Sequence, residues 1–102
     1  MKFLMFVCAD PDLSGDGSPD AWLASTGDRR LEGSRLRPLS DATTLWPKDG
    51  GTFVSDGPFA ETKEFIAGYD VIECADLDEA IDIAARHPVA TFGAIELRPV
   101  WE

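Results

Sequence analysis

The chain has 102 residues, 44% of them hydrophobic, and carries a formal net charge of −10 with a sequence pI near 4.3. That length suits one domain over residues 1–102, with enough apolar content to pack a core without disulfide staples. The acidity opposes binding to a phosphate backbone or an anionic lipid surface, and no apolar run approaches the roughly 20 residues that span a bilayer.

Met1-Lys2 followed by the apolar run Phe3 to Ala9 has the outline of a signal peptide. The run ends at Asp10-Pro11-Asp12 without a small-residue cleavage pattern, and Phe3 to Cys8 reads better as a first strand. Phe3, Met5 and Val7 take one face of it and Leu4, Phe6 and Cys8 the other, so both faces ask for cover. A loop rich in Asp, Gly and Ser follows. Ser18-Pro19 then looks like a cap and first position of a short helix, Pro19 to Thr26, anchored by Trp22 and Leu23 and stopped by Gly27.

Arg30 to Leu36 can be extended, and Pro38 to Asp41 connects it onward. Ala42 to Trp46 and Thr52 to Ser55 flank Lys48-Asp49-Gly50-Gly51, which is hairpin turn chemistry. Asp56-Gly57-Pro58 breaks the second arm. Phe65 to Cys74 reads as another strand. From Asp76 to His87, Leu77, Ala80, Ile81 and Ala84 form a helical stripe, with Asp76 and Glu79 spaced as a capping box and Pro88 as the stop. Ala94 to Trp101 closes the chain as a strand, with Ile95, Leu97 and Trp101 on one face and Glu96 and Arg98 on the other.

Setting the hairpin aside, the order is βαββαβ, an α+β arrangement of the ferredoxin-like type. Two helices then cover one sheet face. The doubly apolar first strand asks for cover on the other, and a second copy of the chain is the simplest candidate, giving a homodimer. Cys8 and Cys74 lie in apolar runs and read as free thiols in a reducing cytoplasm. They are expected to end neighbouring parallel strands at the sheet centre.

Asp56-Gly57-Pro58-Phe59-Ala60-Glu61-Thr62-Lys63-Glu64 resembles the signature of the DGPF-domain branch of the YCII-related proteins. Gly33, Leu36 and Pro38, then Ala42-Thr43-Thr44, Gly68-Tyr69, Asp76 to Ala80 and Glu96 to Val100 fit the family's other stretches in order. The resemblance runs from about Gly33 to Val100. It implies a ferredoxin-like dimeric α/β barrel with an inserted hairpin, a cleft, and an acid–base role for His and Asp residues in some members. Some members are similar to enzymes acting on small chlorinated or hydroxylated ring-cleavage acids, and others are linked to sigma factors. The first helix, shorter and richer in glycine here, departs from the family.

Asp56 and His87 are the candidate catalytic pair. Asp56 is a carboxylate at a strand end, open to an acid–base role or to an Asx-type turn bonding local N–H groups. His87, the only histidine, can move protons or, in its positive form, close the helix C-terminus. Glu61 and Lys63 can frame a ligand entrance or belong to a solvated loop. Glu96 and Arg98 can line a polar cleft or lie in solvent, and Tyr69 suits packing. No metal-ligand set, phosphate loop or nucleotide-cofactor motif is legible, so no cofactor is expected. Two functions stay open. One is a cofactor-free acid–base enzyme acting on a small organic acid held by Arg98. The other is a non-catalytic dimeric module that binds a small molecule or regulates a partner.

Overall fold

The computed structural model describes residues 1–10, 12, 15, 17–60 and 64–102. Along the chain run β1 (Lys2–Ala9), α1 (Asp20–Thr26), β2 (Arg30–Arg35), β3 (Thr43–Lys48), β4 (Gly51–Asp56), β5 (Phe65–Glu73), α2 (Leu77–Ala85) and β6 (Ala94–Pro99). Short 3₁₀ turns occupy Leu39–Asp41 and Pro88–Thr91. The main sheet has the order β2-β5-β1-β6, and its neighbours are all antiparallel. With β3 and β4 set aside, this is the ferredoxin-like α+β order.

The antiparallel pairing corrects the expectation for the cysteines. β1 and β5 are neighbours, but Lys2 lies opposite Glu73 and Cys8 opposite Ile66. Cys74, whose N–H donates to the Met1 carbonyl at 2.8 Å, therefore stands at the far end of the strand pair from Cys8. In this fold each helix crosses over to a strand parallel to the one it left, and the strand inserted between them must run the other way. Both thiols are free.

Alternation along β1 decides which side is covered. Phe3 and Met5 are 0% exposed and join Val7, Ile72, Trp22, Ile83 and, from α2, Ala80 and Ala84 in one core. Leu4, Phe6 and Cys8 point to the uncovered face and are half-buried. The helices hold each other through the Trp22 indole N–H, which donates to the Ile83 carbonyl at 2.9 Å. That contact corrects the expected stripe on α2. Ala80, Ile83 and Ala84 face the core, while Leu77 and Ile81 stand half exposed on its flank. The two alanines let the helix approach the sheet closely, and Ile83 rather than Ile81 reaches the core beside Trp22. The N-terminus of α2 is capped from both sides. Asp76 accepts from the Glu79 N–H at 2.9 Å, and the Glu79 carboxylate accepts from the Ala75 N–H at 2.9 Å.

β3 and β4 pair only with each other. Asp49 and Gly50, at φ 47° and 79°, form the turn between them, and positive φ at both central positions suits the twist of the flanking strands. Leu45, Phe53 and Val54 of this ribbon are 65%, 48% and 56% exposed. Phe59, just past the Asp56-Gly57-Pro58 bend, stacks on Trp46 with ring centroids 5.2 Å apart.

Replacing Phe3 by Ala should cost about 3–5 kcal/mol, the usual range for deleting a buried ring. Urea unfolding monitors it: the midpoint falls with little change in slope. An unmoved midpoint would take Phe3 out of the core.

Candidate functional site

The last turn of α2 leads directly into the site. Residues before a proline are driven to extended backbone, and His87, ahead of Pro88, has φ −69° and ψ 138°. The chain leaves α2 there and winds into the 3₁₀ turn Pro88–Thr91. The first turn of that segment has N–H groups without helical partners, and the Val89 N–H donates to His87 Nδ1 at 3.1 Å. The imidazole is folded back into the protein, 8% exposed, with its ring edge-on to Trp22 at a centroid distance of 4.8 Å.

This arrangement corrects one expectation for His87. It does not sit in positive form on the carbonyls of a helix C-terminus. Burial pushes its pKa below the ordinary 6.5, and the nearby Asp70 carboxylate only partly opposes that shift. A neutral imidazole whose Nδ1 accepts a hydrogen bond carries its proton on Nε2. The ring thus presents an N–H donor to its surroundings.

Asp70 comes from the middle of β5. It lies opposite Met5 in the sheet, on the covered face, and is 6% exposed. A carboxylate in that position needs a charged partner, and the Arg30 Nε donates to its Oδ1 at 2.7 Å. Space for the pair is made by Gly33 on β2. A Cβ there would lie 2.2 Å from Asp70 Oδ1 and 2.6 Å from Arg30 Nη2, closer than real atoms approach. Trp22, Arg30, Arg35, Gly68, Asp70 and His87 are among the residues lining a cavity of about 490 Å³ between sheet and α1. That volume lies in the usual range for small-molecule sites.

Of the candidate site residues weighed from sequence, His87 and Tyr69 line this cavity. Asp56 is the last residue of β4, paired with Thr43 in the separate ribbon, and within one chain it does not share the cavity with His87. The following Gly57, at φ 102°, donates to the Ala42 carbonyl at 2.8 Å, and its own carbonyl accepts from the Thr44 hydroxyl at 2.8 Å. Glu96 and Arg98 form an ion pair at 3.1 Å on the uncovered sheet face, opposite Phe6 and Leu4 respectively. The Arg98 guanidinium lies 5.7 Å from the centre of the Phe6 ring. Tyr69 stands opposite Phe6 on that same face. Glu61 and Lys63 lie outside the described residues. Sequence reasoning missed Asp70, Arg30 and Arg35. The signal for Asp70 was present: it occupies the same strand face as Gly68 and Ile72, where a charge is out of place.

His87 also gives stability a pH dependence of known sign. Its folded-state pKa lies below that of the unfolded chain, so unfolding takes up a proton between the two values. Its contribution is complete above 6.5 and is lost as pH falls through the lower folded value. Thermal melts from about pH 8 to about pH 5 should show wild type losing more melting temperature than His87→Gln below that point. Parallel curves would mean that the ring titrates freely.

The comparisons with known proteins come to the same fold. A family model described as the YCII-related domain matches residues 1–102. An uncharacterized protein of Rhizobium meliloti (strain 1021) is 48% identical over 69 residues, covering 66% of this chain and 56% of that protein. The match thus spans little more than half the length of that relative. Among solved structures, 5-chloro-2-hydroxyhydroquinone dehydrochlorinase from Burkholderia phenoliruptrix AC1100, in complex with 2,5-dihydroxybenzoquinone, superposes with a TM-score of 0.53 at 17% identity. That likeness covers 100% of this chain and 94% of the other, and at such identity it speaks for the fold alone.

Proposed function

The chain belongs to the YCII-related family, and on that premise we propose that it is a cofactor-free enzyme moving protons on a small organic substrate in the His87–Asp70 cavity. The observation that carries this reading is a buried carboxylate and a buried neutral imidazole lining one cavity. The division of labour follows from the hydrogen bonds. Asp70, an acceptor, takes a proton from the substrate. The electron pair left behind moves toward a substrate oxygen that receives the His87 Nε2–H as a hydrogen bond. The proton then returns at another atom, or a leaving group departs with the pair. The second route is the class of reaction named for a structural neighbour, a dehydrochlorinase.

Asp56 is the competing base, because a partner chain could bring it to the cavity of its neighbour. Asp70→Asn keeps an oxygen for Arg30 and removes the base, so it should slow turnover by about 10²–10⁴-fold. Chloride release from 5-chloro-2-hydroxyhydroquinone and solvent deuterium uptake into a panel of hydroxylated ring acids provide the readouts, taken well below the melting transition. If Asp56→Asn abolishes turnover and Asp70→Asn does not, the base is Asp56. If no compound turns over or exchanges, the enzyme reading fails and a binding module remains.

The active assembly in this reading is a homodimer formed through the uncovered face. Leu4, Phe6 and Val71 are only half-buried there, and the ribbon residues Leu45 and Val54 are left exposed. Apolar surface left exposed in this way marks an interaction site. Phe6→Asp should yield a folded monomer in light scattering, since a charge buried in the interface costs several kcal/mol. A variant that stays dimeric would place the interface elsewhere.

A further inference from the structure

We infer that the cavity takes a small ring-bearing carboxylate and that Arg35 is the residue that anchors it. The inference rests on the His87–Asp70 cavity being a ligand site and adds the class of ligand and the group that selects it.

Arginine pairing across the chain carries the argument. With 19 acidic residues against nine basic ones, a guanidinium here has no shortage of carboxylates. Arg29 pairs with Glu79, Arg30 with Asp70, Arg37 with Asp41, Arg86 with Asp82 and Arg98 with Glu96. Arg35 alone has no carboxylate partner among the described residues, and Arg35 lines the cavity. It projects from β2 opposite Gly68, which is buried on the covered sheet face. With no side chain at Gly68, the space next to Arg35 stays open.

The local charge is opposite to that of the whole protein. Asp70 is neutralised by Arg30, His87 is neutral at pH 7 because burial lowers its pKa, and among the described residues lining the cavity Arg35 leaves one uncompensated positive charge. A planar guanidinium matches a carboxylate with two parallel N–H donors. Trp22, 3% exposed, and the apolar residues Val7 and Leu23 supply walls suited to a ring. A ligand with one carboxylate held by Arg35 would lay its ring toward Trp22 and the Asp70–His87 pair.

Benzoate and its neutral counterpart benzamide separate charge from shape. Isothermal titration of the intact protein should show benzoate binding more tightly than benzamide. Arg35→Met should weaken benzoate by roughly 10- to 100-fold while leaving benzamide unchanged, which is the effect of one charge-assisted contact. Because Arg35 is exposed, its melting temperature should match wild type. Equal affinity for the two probes, no benzoate binding at millimolar concentration, or full affinity in Arg35→Met would overturn the inference. Arg35-dependent benzoate binding without any proton transfer would uphold the anchor and sink the acid–base reading. Turnover that needs Asp70 with Arg35→Met binding benzoate as wild type does would sink the anchor alone.

Discussion

Asp70 is a carboxylate held at the centre of a sheet on its covered side, and most of what surrounds it answers to that placement. Removing a carboxylate from water costs several kcal/mol unless a charged, hydrogen-bonding partner replaces the solvent. Arg30 is that partner, and it comes from the adjacent strand with its guanidinium along the sheet surface. Only a glycine at position 33 leaves room for both groups. The antiparallel register, which sets Asp70 opposite Met5, keeps the carboxylate beneath α1 instead of at a solvent edge.

The rest of the cavity follows from how the chain leaves α2. Proline at 88 ends the helix and forces His87 into extended backbone, and the following 3₁₀ turn offers an N–H to Nδ1. The ring is thereby fixed in one tautomer, packed on Trp22, with its remaining proton on Nε2. Trp22 in turn is fixed by its bond to the Ile83 carbonyl. The imidazole, the carboxylate and the aromatic wall are thus held by three different elements, each with its own local reason for its position. Such redundancy fixes the walls of the cavity in the single chain, and a preformed cavity lowers the ordering cost of any binding.

Two faces of one sheet have separate tasks in this molecule. On the covered face the apolar core and the charged pair share space beneath two short helices. On the other, Leu4 and Phe6 lie among Glu96, Arg98 and Tyr69, a mixture of apolar and polar groups that neither the helices nor the ribbon covers. The Cys8 thiol belongs to this second face, and burial, reinforced by the Glu96 carboxylate, pushes its pKa up and keeps it protonated. Its chemistry is that of a small apolar side chain.

Hydrophobic alternation, turn residues and breakers in the sequence were enough to set out the strands, the two helices, the hairpin and their order, because those signals act within a few residues. Gly27, Asp49-Gly50 and Pro88 each stop or turn the chain by local backbone chemistry. The motif from Asp56 to Glu64 was legible for the same reason and pointed to the family. Which side chains meet was decided by pairing between distant strands. Strand direction placed Cys8 and Cys74 at opposite ends of their pair, and helix rotation chose Ile83 over Ile81. Asp56 stood out in sequence because it opens a turn, yet the ribbon carries it away from the cavity in the single chain. Asp70 looked like one more residue of a strand. Only the register with β1, the gap at Gly33 and the reach of Arg30 make it a buried charge beside His87, since that environment is assembled from positions 40 residues apart in the chain.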